Sequence, residues 1–389
     1  MLKILRDITG PFEIKKVPWV LLLSAILLAL LGALFVRSAA SAAFAQKHLI
    51  FLCLGVFVFF SLSLIDYRHL PSLCPILYAA GLIALALLPL LGVERNHACR
   101  WYSIGPISIQ PSEAMKYLVV IVLATYFTYT DRLSRFRDLI IPLALTFAPM
   151  ILIVGQPDLG TSLLFLPTFL AVAFLALVPI RNLVFLITGG VLFAATMWFT
   201  PGALKDYQKQ RVISFIDPRI SPHSPASYNA RQATIAVAGG GFEGQGWGRG
   251  VLNQLKRVPE RHTDFIFPVI AEEWGFVKTS AVVVFYLMVL LMLARIAPQT
   301  PDTFGRLLVG GIMAVFGFQC LLHIAISLRL APITGLTLPL MSYGGSSMIS
   351  TFAAFGLVSS VAMRRDVIFS DRPTESKSLA ETVASHPGV

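Results

Sequence analysis

Apolar runs of about twenty residues, the length that crosses a bilayer as a helix, recur along nearly the whole chain and are parted by short polar breaks. The pattern predicts an all-α polytopic integral membrane protein with ten transmembrane helices, near 18–36, 48–66, 70–92, 112–130, 139–154, 161–179, 182–199, 276–297, 304–329 and 346–363. In hydrocarbon every backbone polar group must be satisfied within the segment, so helices are the expected form. The fourth run is the most polar of the ten, because it holds Glu113 and Lys116. No internal repeat stands out, which disfavours inverted-repeat transporter folds.

Composition agrees with this reading. Apolar residues make up 56% and charged residues 13%, against roughly 25% charged in a soluble domain; mean hydropathy is +0.76. The net charge of +11 resides in short loops between apolar runs. Anionic headgroups explain it better than nucleic acid, for which no basic helix or aromatic ladder is present. Lys15, Lys16 and the later "SAASAAFA" imitate a secretory signal, yet the apolar run between them exceeds the usual core of roughly 7–15 residues and reads as a first span. Cys53, Cys74, Cys99 and Cys320 form no C-x-x-C pair and support neither a disulfide framework nor a thiolate metal site.

Orientation follows from basic residues in short loops. With the N-terminus cytoplasmic, inside segments hold 15 Lys and Arg, and outside segments hold five: Arg37, Lys47, Arg95, Arg100 and Arg329. Both termini are thus predicted to be cytoplasmic, with one long extracytoplasmic loop at 200–275 and a single membrane domain over 1–365. A connection of that length without elements of its own is usually functional. Residues 366–389 read as a disordered cytoplasmic tail.

Acidic residues number only 20, so their placement is informative. Away from the termini, Glu113, Asp158, Asp264, Glu272 and Glu273 all fall on the outward half. A charge at membrane depth costs about 2.5–3.5 kcal/mol on insertion scales and faces a cavity or a partner. Glu113 and Lys116, in "QPSEAMK", share a helix face, either as a self-neutralising ion pair or with Lys116 also meeting a substrate phosphate. Ser112 is the expected N-cap of that helix, with Pro111 at its entry. Arg100 and Trp101 read as a headgroup anchor or a substrate contact, and Asp158 as a helix cap or a cavity carboxylate. His323 reads as a packing histidine. Gly239, Gly241 and Gly244 satisfy G-x-G-x-x-G without the strand and helix that a dinucleotide site needs, and read as tight turns against the membrane. Arg211 opens an amphipathic interfacial segment. In "RHTDFIFPVIAEEWG", Asp264 follows His262 and Thr263 and abuts Phe265, Ile266 and Phe267. It is either an N-cap or an acid whose pKa is shifted by burial or by nearby cations, as proton transfer requires.

These segments resemble a known family. "RW" at 100–101, "QPSEAMK" at 110–116, "GQPDLGTS" at 155–162, "VPERHTDFIF" at 258–267 and "LPLMSYGGSS" at 338–347 are similar, in content and order, to the signatures of the SEDS (shape, elongation, division and sporulation) proteins. The "PERHTDFIF" spelling and short tails favour the RodA-type elongation branch over the FtsW-type division branch. "HAC" before "RW" and "AVAGGG" at 236–241 depart from common spellings and leave the acid motif untouched.

The resemblance implies a peptidoglycan glycosyltransferase of the bacterial inner membrane that polymerises lipid II at the periplasmic face. It implies a class B penicillin-binding protein and other elongation-complex membrane proteins as partners. It also implies Asp264 as the catalytic acid, with Glu113, Lys116 and Asp158 around the cavity. Arg100, Arg211, His262, Thr263 and Ser342 complete the candidate site. An inverting displacement needs one base and positive charge for the departing pyrophosphate. A bridging divalent cation, Mg or Mn, is compatible with that chemistry, although the sequence contains no dedicated ligand cluster. A flippase for a lipid-linked precursor and a non-catalytic scaffold that activates a transpeptidase are the rival readings.

Overall fold

The computed structural model describes residues 14–95, 98–105, 107–130, 133–202, 205–217 and 225–365. The tail at 366–389 lies outside the described residues. Helices α1 (Trp19–Ala39), α2 (Ala42–Leu64) and α3 (Leu70–Leu91) run up to a small antiparallel sheet, β1 (Val93–Arg95), β2 (Ala98–Ile104) and β3 (Ile107–Ile109). The sheet is a small addition to the helical architecture: Arg100 and Trp101 lie on a strand, with Trp101 paired to Val93. Then follow α4 (Pro111–Tyr129), α5 (Ile140–Gly155), the short α6 (Leu159–Leu163) and α7 (Phe165–Leu175), and α8 (Ile180–Phe199).

The segment predicted as a long loop is largely ordered into helix. It contains α9 (Asp206–Ile216), α10 (Pro225–Gly239) and α11 (Val251–Gln254), and its last residues already belong to α12 (Ile266–Ile296). Two helices, α13 (Thr303–Ser327) and α14 (Gly345–Met363), complete the bundle. The expected span began at 276 because α12 breaks at Gly275, whose φ of 70° and ψ of −176° are open to glycine alone without strain. Before the break, Ile266, Phe267, Val269 and Ile270 are buried in the protein rather than turned to lipid.

Among the described residues, eight helices are long and apolar enough to cross a membrane: α1, α2, α3, α5, α8, α12, α13 and α14, the third and fourth of these with a short helical turn before them. The predicted spans at 112–130 and 161–179 correspond to α4, which carries the Glu113–Lys116 pair, and to α6–α7, which is interrupted near Leu164. Helices α4, α13 and α14 form the centre, where Val119, Val120, Leu308, Ile312, Phe352 and Phe355 are fully buried. By contrast, α8 turns Val184, Phe185, Val191, Leu192 and Phe193 outward. Without water, such a face meets acyl chains at no cost. At the end of α14, Arg364 is buried and donates to the carbonyls of Ser63 and Leu64, closing the C-terminus of α2 with a cation.

The glycine-rich stretch is bound to the break in α12. Gln245 N and Gly246 N donate to the Glu272 and Glu273 carbonyls at 3.0 and 2.9 Å, and Phe276 N donates to Gly241 O at 2.8 Å. Glu272 accepts the Leu252 and Asn253 amides at 2.7 and 3.2 Å, which caps α11. Glu273 takes Asn253 Nδ2 at 2.8 Å and the Ser38 hydroxyl. These two carboxylates therefore anchor the segment before α12. The glycines follow a helix, α10, and make turns with positive φ at Gly241 and Gly244.

Candidate active site

Asp264 sits in a tight turn just ahead of α12. The Glu260 carbonyl accepts from the amides of Thr263, Asp264 and Phe265 at 3.1, 3.0 and 3.2 Å. Phe265 is the N-cap residue and no side chain caps the helix, so the capping reading of Asp264 is excluded. Its carboxylate accepts no hydrogen bond among the described residues and keeps part of its surface accessible.

The turn is held from two sides. The buried Ser342 hydroxyl donates to Thr263 O at 2.6 Å and accepts from Leu338 N at 2.8 Å. Tyr343 N donates to His262 O at 2.8 Å. Phe44 meets the rings of His262 and Tyr343 edge-on at 5.1 and 4.9 Å, and Arg261 donates to Ala39 O at the end of α1. Burial lowers the pKa of His262, which favours the neutral ring. A third wall is Gly335, where φ is 77° and a Cβ would lie 3.2 Å from Asp264 Oδ2. Any side chain there would crowd the acid.

Charges converge on this carboxylate. Burial raises the Asp264 pKa to about 7, the Glu260 and Asp158 carboxylates add to the rise, and the Arg100 and Arg211 guanidiniums oppose it. Of the two shifts left open by the sequence, the upward one prevails. Arg100 reaches from β2 to the turn after α5, donating to Gln156 O at 2.9 Å and to Pro157 O. It thus anchors the turn that presents Asp158. That carboxylate caps α6 through Thr161 N at 3.2 Å, holds Thr161 Oγ1 at 2.9 Å and accepts from Gln110 Nε2 at 3.2 Å. Arg211 Nη1 donates to Thr334 O at 3.4 Å.

Lys116 lies in a different setting. At 2% exposure it is bonded to Glu113 Oε2 at 2.9 Å and to Gln319 Oε1 at 2.7 Å. Gln319 in turn donates to Thr337 O at 2.9 Å. The ion pair expected from the three-residue spacing is present, and the ammonium is turned into protein. Gln110, not Ser112, is the N-cap of α4; Ser112 instead accepts from the Gln110 side chain at 3.0 Å. His323 Nδ1 bonds to Leu336 O at 2.7 Å while Nε2 is buried without a partner, so the packing role is only half satisfied.

The segment 331–339, "APITGLTLP", joins these parts. Its carbonyls meet Arg211, His323 and Gln319 in succession, and Gly335 faces Asp264. Residue-by-residue reading passed over it because its backbone, not its side chains, makes the contacts. Pro332 and Pro339 bounding a glycine just before "MSYGGSS" were the available signal. Beside the site, an apolar groove of about 390 Å³ opens between α2, α3, α4 and α14, lined by Phe51, Leu77, Leu118 and Ile349 among others, with Ser108, Gln110 and Ser346 at one end. Gln110 connects that end to Asp158.

The family model of the FtsW, RodA and SpoVE cell cycle proteins matches residues 17–367. The chain belongs to the SEDS family. It is 34% identical to the peptidoglycan glycosyltransferase MrdB of Escherichia coli K12, over 82% of this chain and 85% of that one. It is 28% identical to the peptidoglycan glycosyltransferase RodA of Treponema pallidum, over 82% and 89%. Among solved structures, a chain of a peptidoglycan synthase complex that coordinates polymerization and crosslinking matches at TM-score 0.79 and 33% identity, over 90% of this chain and 98% of that one. The rod shape determining protein RodA of Thermus thermophilus matches at 0.68 and 30%, over 90% and 98%. The RodA-type branch read from "PERHTDFIF" agrees with these relatives.

Proposed function

We propose that this SEDS chain, a multi-pass membrane peptidoglycan glycosyltransferase of cell elongation, polymerises lipid II with Asp264 as general base. The observation that carries the assignment of the base is a half-buried carboxylate with no hydrogen-bond partner among the described residues and a pKa raised to about 7. A base serves best when its pKa lies near the working pH. An incoming sugar hydroxyl gives its proton to Asp264 as its oxygen bonds to the anomeric carbon of the donor. The anomeric C–O bond breaks and undecaprenyl pyrophosphate leaves with the electron pair. An α-linked donor becomes a β-1,4 product by one displacement, so no second nucleophile is needed. Arg100 and Arg211, whose charges act on the same carboxylate, offset the charge on the leaving group. The apolar groove takes lipid tail while the headgroup reacts at the rim, a reading supported by its almost wholly apolar lining.

In this reading α4 and α6–α7 join the eight long helices as spans, giving ten within one membrane domain over 1–365. Both termini are cytoplasmic, residues 366–389 form a cytoplasmic tail, and the acid faces the periplasm from the inner membrane. Among the described residues no group of three or more His, Cys, Asp or Glu gathers at a metal site. Asp264 and Asp158 are the carboxylates suited to a Mg²⁺ or Mn²⁺ ion that arrives with pyrophosphate, and such an ion would screen its charge. The partner is a class B penicillin-binding protein within the elongation complex, supported by the synthase complex among the structural relatives.

The test is reconstitution of the purified chain with lipid II, with and without a class B partner. Glycan strands are expected, in larger amount with the partner. Movement of lipid II across the bilayer without product would support a flippase. Product that persists when only the partner carries the activity would support a scaffold.

A further inference from the structure

Residues 334–337 pass Asp264 as a strap of backbone, with Thr334 and Leu336 buried and Gly335, at φ 77°, presenting no side chain to the acid. Glycine restrains its own backbone least, so the place of Gly335 depends on how its neighbours are held. Before it, Thr334 O takes a long bond of 3.4 Å from Arg211, and α6 packs close, since a Cβ on Gly160 would lie 2.7 Å from that oxygen. After it, Leu336 O takes a bond of 2.7 Å from His323 Nδ1. Gln319, one turn earlier on α13, holds Thr337 O at 2.9 Å. A carbonyl only accepts, so Nδ1 of His323 carries the hydrogen. Its Nε2 is buried without a hydrogen-bond partner among the described residues. A buried polar atom with no partner weakens a fold, and packing alone would be better served by an apolar side chain. What the histidine contributes is the bond to Leu336.

We propose that His323 is a positioning residue of the polymerase reaction: by holding Leu336 O it fixes the Gly335 backbone as a wall against Asp264. At 1% exposure the histidine is enclosed in protein and acts on the acid through the strap. A loosened strap lets water approach the carboxylate, which weakens its desolvation and lets the acid drift from its working geometry. The effect on rate rests on Asp264 as the general base; the effect on the acid's own titration does not.

His323→Leu removes the bond together with the orphaned nitrogen, and His323→Asn keeps a donor at the place of Nδ1. Polymerisation of purified lipid II by the full chain is followed across pH. In His323→Leu, kcat is expected to fall about tenfold with little change in KM, and the midpoint of the pH–rate curve to move below the parent's value near 7. His323→Asn is expected to bring both back toward the parent. Glu260, Asp158, Arg100 and Arg211, the charges that act on Asp264, are the same in all three proteins. The titration of Asp264 is read separately, as the carboxylate infrared band that Asp264→Asn deletes, and it should shift downward in His323→Leu. Where the leucine variant does not fold, methionine, which adapts to irregular space, replaces it. A lower thermal midpoint with an unmoved pH profile and infrared titration makes His323 a packing residue and overturns the proposal. So does a folded His323→Asn that behaves like His323→Leu. If Asp264→Asn still polymerises lipid II, the base reading fails, and the infrared titration alone decides whether His323 holds the wall.

Discussion

Lys116 and Asp264 look alike as letters in an apolar sequence, and the structure treats them in opposite ways. Lys116 is enclosed, with Glu113 and Gln319 as partners and a relay through Gln319 to Thr337. Asp264 sits in a turn fixed by Glu260, Ser342 and Tyr343, while its carboxylate has no hydrogen bond among the described residues. A saturated charge is a structural device, because its desolvation is offset within the protein. An unsaturated one in a rigid frame is available for chemistry. Both are tied to the same segment, 331–339, so the closed network fixes the distance at which the open one works.

The sharpest break in this comparison is Asp264→Asn. Loss of the base is expected to reduce polymerisation by roughly 10²–10⁴-fold, measured with purified lipid II. Stability is expected to move the other way. An unfolded aspartate titrates near 3.9, and Asp264 near 7. The folded chain therefore binds the proton more tightly, and its stability falls as pH rises from about 4 to about 7. Asparagine carries no such charge, so the variant's thermal midpoint should exceed the parent's at pH 8, with a smaller difference at pH 5. In the parent, the rate should rise with pH through a midpoint near 7. A variant that keeps its activity ends the assignment of the base.

Lys116→Ala should show the reverse balance. Removing one partner of a buried pair leaves Glu113 charged and unpaired, at a cost of about 3–5 kcal/mol, so the thermal midpoint drops and activity follows the folded fraction. The double variant Glu113→Gln, Lys116→Met replaces the pair with neutral groups and should recover most of the stability. Should Lys116→Ala fold normally and only turn over slowly, Lys116 joins the chemistry after all and the contrast with Asp264 is lost.

The sequence made this contrast only partly visible. Helices were legible wherever apolar runs reached bilayer length, and the 113–116 pair followed from helical spacing alone. Of the ordered part of 200–275, α9 was legible only as the amphipathic segment at Arg211, and α10 was missed because it packs on α12 and α13 without a strong pattern of its own. The sheet at 93–109 was missed for a similar reason, its strands β1 and β3 being three residues each. At the site, side chains were found and backbone was not. Asp264 announced itself as an acid in apolar surroundings, Asp158 as an acid just before a span, Arg100 as a cation beside Trp101, and Arg211 as the start of an amphipathic segment. The carbonyls of Thr334, Leu336 and Thr337 carry no letter that distinguishes them from any other carbonyl.

The smallest expected effect tests whether rigidity around the acid matters. Ser342 touches neither the Asp264 carboxylate nor the groove, and acts only through Thr263 O and Leu338 N. Ser342→Ala leaves two buried backbone groups short of a partner, at about 1–3 kcal/mol, and frees the turn to loosen toward water. Small displacements of a base slow a reaction, here by roughly tenfold in kcat, with little change in KM. Looser packing also weakens the desolvation that raises the acid, so the midpoint of the pH–rate curve should move below 7, toward the ordinary carboxylate range. A role in folding alone would lower the thermal midpoint and leave the pH profile where it was. That profile separates a frame that tunes Asp264 from one that merely holds the chain together.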